Sequence, residues 1–452
     1  AYPEHVFDLC HTFGKCRLSH AQSRARTGET LSISNGDYMP QFTQIGQHYV
    51  DSISRTIAPD ILMKNTILKI MHWTEYPEPH RIEYPTPILY GAVMNTTVID
   101  RDYFLQRAAE LPVDEYDISN WFIMQNDAIW PYMERLRRED PVHFTAESRY
   151  GPFWSITRFH DIKWVDTNHK LFSSEGSIGL NDPTGDFETS SFIAMDPPKH
   201  DVQRKAVTPV GAPRNLAERE PLIRSRVCDI LDNLPIGETF NWVERVSIEL
   251  TTQMLATLFG FPFEERHKLP RWSDIATSGR HSGFVATREE AQQEMLECLA
   301  RFTQLWHERA GQEPGFDLIS LLQQGEDTKD MIQRPSEFLG NLFLLIVGGN
   351  DTTRNSISGG VLALNKFPQE YDKLRADPSL IPNMVAEIIR WQTPLAFMRR
   401  TATEDVALHG KTIRQGDKVV MWYVSGNRDE DVFADADQLI IDRANARQHV
   451  SF

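Results

Sequence analysis

Apolar residues recur at helical spacing through most of the chain that follows Thr97. In these stretches they fall at positions i, i+3 and i+4, which is the period of one face of an α-helix. The pattern predicts helices over residues 130–139, 160–168, 221–234, 246–259, 288–310, 337–367 and 383–391. The helix over 337–367 is unusually long for a globular protein. The sequence therefore predicts a mainly α-helical protein.

Short β-prone runs interrupt the helices near the start and near the end of this region. Residues 142–145 and 153–157 flank a Gly-Pro turn, which is the pattern of a β-hairpin. Residues 406–413 form a second hairpin pattern around a His-Gly turn, and residues 419–422 follow a further turn. The predicted fold class is therefore mainly α with a small antiparallel β region.

The first 96 residues differ from the rest of the chain. Residues 1–40 have little apolar periodicity, so we expect a disordered arm. Residues 41–96 contain helically spaced apolar residues, which indicate amphipathic helices that contact a membrane surface or, more commonly, pack on the main body. They end in a proline-rich linker. The main domain is then expected over residues 97–452.

The composition is that of a globular protein, and it excludes some function classes. The formal net charge of −16 argues against a nucleic-acid partner, because phosphate binding needs concentrated Lys and Arg. No apolar run approaches the roughly 20 residues of a transmembrane helix, so no transmembrane segment is expected. The four cysteines are too few for a disulfide framework, so we expect a reducing compartment and a cytoplasmic location.

The centre of the long predicted helix carries the most informative residues. An apolar run ends in Gly348 and Gly349, and Asp351 and Thr352 follow closely. Each glycine costs roughly 1 kcal/mol in a helix, and a buried carboxylate also costs free energy. In one interpretation, a flat ligand lies against the glycines while Asp351 and Thr352 transfer protons to it. In the other, the Thr hydroxyls of an ordinary core helix bond to the preceding turn. The residues alone leave both interpretations open.

Two further helical patterns bring charged or polar side chains together. Glu387 and Arg390 lie three residues apart in an apolar helix, so we expect a buried pair. His200 and Arg204 lie one turn apart in a helix that follows two prolines, an arrangement that suits a carboxylate or phosphate partner. Both patterns are common on solvated helix surfaces, so neither of them alone indicates a function.

The order of these motifs along the chain resembles that of the cytochrome P450 monooxygenases. Residues 349–353 resemble the oxygen-activation helix of this family, and Glu387 with Arg390 matches its E-x-x-R pair. Within the family, the chain is most similar to bacterial terminal (omega) hydroxylases of alkanes and fatty acids. The segments that carry this closer resemblance are residues 192–204, 345–356 and 388–395.

The resemblance implies a heme b cofactor and names the residues that would contact it. By their place in the family motifs, His200, Arg204 and Arg400 would bind the heme propionates. Gly348 and Gly349 would let the heme approach the long helix. The same resemblance implies a cytochrome P450 fold for the main domain.

The resemblance also implies an activity. The expected reaction is hydroxylation of the terminal carbon of medium- or long-chain alkanes or fatty acids, with dioxygen and two electrons from a ferredoxin and its reductase. Thr352 is the candidate hydrogen-bond donor toward dioxygen, and Asp351 is the candidate proton relay. The candidate lining of a narrow apolar channel for the chain end is Leu345, Leu395 and Phe397.

One element of the family pattern is not found. The family binds heme iron through a cysteine thiolate, in a loop that follows a His-x-Ser-Phe-like lead. Residues 449–452 match that lead, and they are the last of the sequence. We therefore expect a C-terminally truncated domain, no metal ligand in this chain, and no activity of this chain by itself. Two alternatives stay open, namely an inactive fragment that serves as a binding module, and a heme-free helical lipid-binding module.

Overall fold

The computed structural model describes most of the predicted main domain. The described residues are 100–182, 189–277, 287–313 and 315–451. The disordered arm predicted over 1–40 and the helical extension and linker predicted over 41–96 lie outside them.

The described residues form two compact units, of which the smaller comprises residues 100–112 and 117–132. Within it, the hydroxyl of Tyr132 donates a hydrogen bond to the backbone carbonyl oxygen of Phe104 at 2.9 Å. Its first two helices are α1 (Arg101–Glu110) and α2 (Trp121–Gln125).

The larger unit comprises residues 113–116 and 133 onward, and it contains most of the helices. Helices with the predicted periodicity form where they are expected. Within the described ranges, none combines the length and apolar content that a membrane crossing requires. From α3 onward the helices are α3 (Ile129–Glu139), α4 (Phe159–Thr167), α5 (Lys199–Val207), α6 (Pro213–Asp232), α7 (Glu249–Phe259), α8 (Lys268–Thr277), α9 (Arg288–Arg309), α10 (Leu318–Gln324), α11 (Pro335–Lys366), α12 (Pro368–Ala376), α13 (Ile381–Gln392) and α14 (Tyr423–Gly426).

Helix α6 begins earlier than the hydrophobic pattern predicts. The apolar spacing predicts a start at Pro221. In the structure Pro213 occupies the first turn, and Pro221 lies inside the helix. Pro221 is exposed, so the carbonyl group that its missing N–H leaves free can bond to water.

A π-helical turn precedes helix α7 and overlaps the first three residues of the α-helix predicted over 246–259. It spans Val243–Ile248, and Gly260, with φ +61°, ends the helix that follows. The hydroxyl oxygens of Ser247 in this turn and Ser358 on helix α11 lie 2.8 Å apart. A single wide turn changes the apolar spacing too little to be recognised in the sequence.

The β region is small and mainly antiparallel, as the sequence predicts. A five-stranded sheet has the order β1-β2-β7-β4-β3, and β5 pairs with β6 in a separate hairpin. The exception is the β2–β7 pair, which is parallel. A parallel pair needs a long connection between its strands, and a long stretch of chain separates β2 from β7. The strands are β1 (Val142–Thr145), β2 (Phe153–Ile156), β3 (Phe172–Ser173), β4 (Met398–Ala402), β5 (Val406–Leu408), β6 (Lys411–Ile413) and β7 (Lys418–Met421).

Helix α11 runs through the main hydrophobic core. Its first half contributes Phe338, Leu342 and Ile346 to a cluster that also contains Trp272 of helix α8 and Phe302 of helix α9. All five side chains are buried almost completely. An apolar surface all round a helix requires neighbours on every side. Beyond Ile346 the helix surface is no longer buried on every side, since Gly348 is exposed. This part of helix α11 is therefore the place to look for a functional site.

Candidate active site

The middle of helix α11 has a position that no side chain of the described residues covers. Gly348 is exposed, although Ile346 and Asn350 on either side of it are buried. A Cβ atom at Gly348 would meet no atom of the described chain within 4 Å, whereas a Cβ atom at Gly349 would lie 3.0 Å from Cδ2 of Leu255. Gly348 therefore borders open space, while Gly349 packs against helix α7.

Thr352 lies one turn beyond Gly348 on the same face of helix α11. Its hydroxyl donates a hydrogen bond to the backbone carbonyl oxygen of Gly348 at 2.8 Å. Ser356 repeats the pattern and donates to the carbonyl oxygen of Thr352 at 2.8 Å. These bonds match the second interpretation of the sequence. On the open face, the Thr352 oxygen keeps lone pairs that can accept a hydrogen bond from a ligand.

Asp351 points away from Thr352 and is bound by neighbouring side chains. Its Oδ1 atom accepts hydrogen bonds from Ser273 Oγ at 3.0 Å and from Asn350 Nδ2 at 3.1 Å. Nη2 of Arg354 lies 3.1 Å from the same oxygen. Burial raises the pKa of Asp351 above its usual value, and Arg354 opposes that shift. The carboxyl group is therefore better able to hold a proton than an exposed aspartate.

Two partners of Asp351 differ in whether a sequence pattern could have predicted them. Arg354 lies three residues after Asp351 on one helix, so the i, i+3 spacing was available as a signal. Ser273 lies 78 residues earlier, on helix α8, and no sequence pattern points to it. Neither residue was predicted as part of the site.

Glu387 and Arg390 form the predicted buried pair, and both side chains are 0% exposed. Nε and Nη2 of Arg390 each donate to the Glu387 carboxylate at 2.8 Å. Arg443, which the sequence analysis missed, donates from Nε to the same carboxylate at 3.0 and 3.1 Å. A buried carboxylate can accept about four hydrogen bonds, so the need for a second donor was the available signal. The three charges form one cluster.

The three predicted propionate contacts have different partners in the structure, or none that is described. On helix α5, Nδ1 of His200 lies 2.8 Å from Oδ1 of Asp201, and Arg204 is exposed. On strand β4, Nη2 of Arg400 donates to Oδ1 of Asp166 at 2.8 Å. Among the described residues, no hydrogen bond or ion pair joins Arg400 to either of the other two. Their common role remains a prediction.

Arg399, the residue before Arg400, was not predicted as part of the site. It is 7% exposed, and its Nη1 donates to Oδ1 of Asp182 at 2.8 Å. Its Nε is buried and has no hydrogen-bond partner in the part of the chain that the structure describes. Successive residues of a strand point to opposite faces, so Arg399 and Arg400 serve different surfaces.

The three candidate channel residues are half-buried and lie in different surroundings. Leu345 packs at the edge of the core around helix α11, and Leu395 packs against the core beside the sheet. The ring of Phe397 lies 4.9 Å from that of Trp422, between centroids. They form no common apolar cluster in the described structure, so their role as a channel lining remains a prediction.

Hydrogen bonds connect Val450 and Ser451, the last described residues, to Asn427 and to the end of helix α13. Oδ1 of Asn427 accepts from the backbone N–H of Val450, and its Nδ2 donates to Oγ of Ser451, each at 2.8 Å. Ser451 in turn donates to the carbonyl oxygen of Ile389 at 3.1 Å. His449 Nδ1 is buried without a hydrogen-bond partner among the described residues, and burial lowers the pKa of this histidine.

Comparison with known proteins identifies the family. A family model described as Cytochrome P450 matches residues 211–449. Linalool 8-monooxygenase of Pseudomonas putida is 36% identical over 329 residues, which cover 70% of this chain and 80% of that protein. The chain belongs to the cytochrome P450 family. It is therefore a cytochrome P450 monooxygenase, as its motifs predict.

Two further relatives extend the comparison with cytochromes P450. A methyl-branched lipid omega-hydroxylase of Mycobacterium bovis is 30% identical over 359 residues, which cover 76% of this chain and 83% of that protein. The structure of cytochrome P450-153 from Novosphingobium aromaticivorans is 44% identical, with a TM-score of 0.67 over 74% of this chain and 84% of that one. The fold and the family are thus shared over most of the described residues.

Membership in the cytochrome P450 family implies a heme cofactor, and three observations fit one. Open space borders Gly348 on the long helix. Arg399 and His449 each bury a nitrogen that lacks a hydrogen-bond partner within the described residues. Such unsatisfied polar atoms are rare in folded proteins and indicate a group that would complete them.

Cys298 is not suited to ligate the iron of such a heme. It is a free cysteine of helix α9 and has no exposed surface. Burial raises the pKa of its thiol well above the usual value. A thiol held in its protonated form is a poor metal ligand.

Proposed function

We propose that this protein is a heme-thiolate monooxygenase that hydroxylates the terminal carbon of medium- or long-chain alkanes or fatty acids. The observation that carries the proposal is the uncovered position at Gly348, with Thr352 one turn away on the same face of a buried helix. The name of one relative supports it, namely the methyl-branched lipid omega-hydroxylase.

The proposal assigns the heme contacts to residues of this chain. His200, Arg204 and Arg400 would bind the heme propionates, and Gly348 would leave room for the ring. When bound, a heme with a thiolate ligand supplies the activation of dioxygen for insertion into a C–H bond. The proposed electron donors are a ferredoxin and its reductase. The proposed location is the cytoplasm.

The residues of the chain would supply protons and position. Asp351 holds a proton more readily than an exposed aspartate does, because it is buried. In this scheme Asp351 would supply the proton, and the Thr352 hydroxyl would turn from the Gly348 carbonyl oxygen to donate a hydrogen bond to the oxygen molecule. Leu345, Leu395 and Phe397 would exclude water and admit only the end of an alkyl chain.

Product analysis tests this proposal. The full-length protein with its heme, a ferredoxin, and a reductase would be incubated with a straight-chain alkane or the matching fatty acid. We expect the terminal alcohol as the main product, and a carbon monoxide difference spectrum of the thiolate type. Products hydroxylated only at internal carbons, or a spectrum without the thiolate signature, would overturn the proposal.

A pair of leucines on helix α11 provides a matched comparison. Leu345→Ala should increase the share of subterminal products, because a wider channel positions the chain end less strictly. Leu362 lies on the same helix but is exposed, and Leu362→Ala should leave the product ratio unchanged. Equal product ratios in the Leu345 variant and the wild type would contradict the channel assignment.

A further inference from the structure

A chain of buried polar side chains joins helix α5 to the first half of helix α11. The backbone N–H of Phe192 donates to Oδ1 of Asn341 at 2.9 Å. Nδ2 of Asn341 donates to Oε1 of Gln203 at 3.1 Å, and Nε2 of Gln203 donates to Oε1 of Glu337 at 2.8 Å. All three side chains are buried. Two residues of helix α11 therefore hold the segment 192–203 by hydrogen bonds that are shielded from water.

The two ends of this chain fix the orientation of both amide groups. A backbone N–H can only donate, so the oxygen of Asn341 faces Phe192 and its nitrogen faces the second amide. At the other end, the Glu337 carboxylate only accepts while it is ionised. Burial alone would raise its pKa, but hydrogen bonds and charges from Lys199 and Arg334 hold the pKa below the usual value. Neither amide can therefore turn over without bringing two donors or two acceptors face to face.

The amide chain lies on the same face of helix α11 as the uncovered position. Gly348 follows Asn341 by seven residues, which is close to two complete turns and a rise of about 10 Å. Thr352 lies one turn farther along this face, and Glu337 lies one turn before Asn341. Helix α5 is therefore fixed to the face of helix α11 that leads to the open space beside Gly348.

Gln203 lies close in sequence to both proposed heme contacts of helix α5. His200 precedes it by three residues and Arg204 follows it directly, so a shift of Gln203 displaces both side chains. Successive residues of a helix point about 100° apart, and Arg204 is exposed while Gln203 is buried. Helix α5 thus turns its amide toward helix α11 and leaves a cationic side chain available on another face.

We propose that Gln203 and Asn341 are positioning residues, whose amide groups set the register of helix α5 on helix α11. That register determines whether His200 and Arg204 can both reach the propionates of a heme bound beside Gly348. The amides act through helix α5 and would not touch the heme themselves. This inference rests on the proposed function, which assigns the propionates to these two side chains.

Release of heme from the full-length, heme-loaded protein measures this positioning without turnover. Heme transfer to an excess of apomyoglobin would be followed by absorption in the wild type, in Gln203→Met and in Asn341→Leu. Both variants keep the approximate side-chain size, and we expect transfer to be about tenfold faster, the effect of one lost charge-assisted hydrogen bond. The heme reduction potential should fall, because propionates without cationic partners favour ferric iron. An unchanged rate and potential in both variants would overturn the proposal.

A mutant cycle separates positioning from a general loss of packing. In a protein that already carries His200→Leu and Arg204→Leu, Gln203→Met should have little further effect, because the side chains through which it acts are gone. Equal effects of Gln203→Met in this background and in the wild type would show a merely structural role and overturn the proposal.

Two further variants control for stability. Glu337→Gln keeps an oxygen that accepts from Gln203 and removes the charge that faces Lys199, so it should lower stability but leave heme transfer close to that of the wild type. Ser358→Ala removes a different contact of helix α11, between Oγ of Ser358 and Oγ of Ser247 at 2.8 Å, and should leave transfer and potential unchanged. Equally fast transfer in Ser358→Ala and Gln203→Met would overturn the proposal.

The same measurements separate a failure of this inference from a failure of the proposed function. A wild-type rate in the variant that carries His200→Leu and Arg204→Leu would refute the proposed propionate contacts, and this inference with them. A faster rate in that variant, with no effect of Gln203→Met in the wild type, would refute only this inference. A holoenzyme that yields no terminal alcohol would refute the proposed reaction, whereas heme transfer decides the role of the amides.

Discussion

At the scale of single residues, Asp351 and Thr352 are neighbours in sequence that serve different surroundings. Successive residues of a helix point about 100° apart, so the two side chains cannot share one surface. Thr352 lies with Gly348 on the open face, while Asp351 turns to Ser273 of helix α8. The pair can therefore join a proton source on one side to a ligand on the other.

Thr352→Val tests the role of the hydroxyl group with little change of shape. Among the described residues, the hydroxyl of Thr352 bonds only to a carbonyl oxygen of its own helix, so the free energy of unfolding should change by no more than about 1 kcal/mol. Hydroxylation by the heme-loaded protein should fall by about 10²-fold, as expected for loss of a proton-transfer group. Thr352→Ser should retain activity. Full activity of the valine variant in steady-state assays would contradict the assignment.

His449 should make the stability depend on pH. Burial, followed by the charge of Arg390, lowers the pKa of the folded imidazole, so the unfolded chain binds a proton that the folded chain does not. Stability is then lost as pH falls below about 6.5, the ordinary histidine value, toward the folded value. Urea titrations of the wild type and His449→Asn should show a free-energy difference that decreases over that window. A constant difference would refute this explanation.

At the scale of elements, helix α11 combines a buried half with a position left open. Two glycines of this helix show the contrast. A Cβ atom at Gly340 would overlap the carbonyl oxygen of Ser190, whereas a Cβ atom at Gly348 would meet no atom of the described residues within 4 Å. Glycine is thus required at one position by the approach of another backbone. At Gly348, no contact within the described residues requires glycine.

Alanine substitutions at these glycines should have opposite effects on stability. Gly348→Ala should raise the free energy of unfolding by up to about 1 kcal/mol, because alanine favours the helix and meets no obstacle. Gly340→Ala should lower it, because the backbone at Ser190 cannot move as a flexible side chain can. Denaturant titrations of the heme-free protein measure both. Destabilisation by Gly348→Ala would indicate that this position is covered.

Hydrophobic periodicity predicts the long elements and fails where the chain departs from a regular period. Helix α11 is predicted within two residues of its observed ends, since its apolar positions repeat over many turns. The π-helical turn at Val243–Ile248 and the early start of helix α6 at Pro213 are not predicted. An extra residue in one turn, or a proline tolerated on an exposed face, leaves no periodic signal.

At the scale of the whole molecule, the cluster of Glu387, Arg390 and Arg443 links segments that are distant in sequence. Arg390 also donates to the carbonyl oxygens of Asn427 and Ala436, each at 2.7 Å. Sequence spacing predicts the first two members because they share a helix. It cannot predict Arg443, as it cannot predict Ser273 at the site, because only the folded chain brings such residues together.

Glu387→Gln should destabilise the protein strongly. Removing the carboxylate leaves two buried guanidinium groups without a counter-charge, a change that typically costs about 3–5 kcal/mol. Asp372→Asn is a control with the same i, i+3 spacing on the surface, and it should cost less than about 1 kcal/mol. Thermal or denaturant unfolding compares the two. Similar losses in both variants would mean that burial of the cluster contributes little.

The two arginines of this cluster are satisfied largely by the peptide chain. Arg390 reaches the carbonyl oxygen of Gln438 at 2.8 Å, and Arg443 reaches those of Ala434 and Asp435. Every amino acid carries a carbonyl group, so evolution can replace many side chains along 434–438 and keep these bonds. An inserted or deleted residue would instead shift every carbonyl out of register. The exposed positions Ala434, Asp437 and Gln438 should therefore tolerate randomisation in a library, whereas changes of length should not be tolerated. Asp435, with φ +49°, and the buried Ala436 should be more restricted.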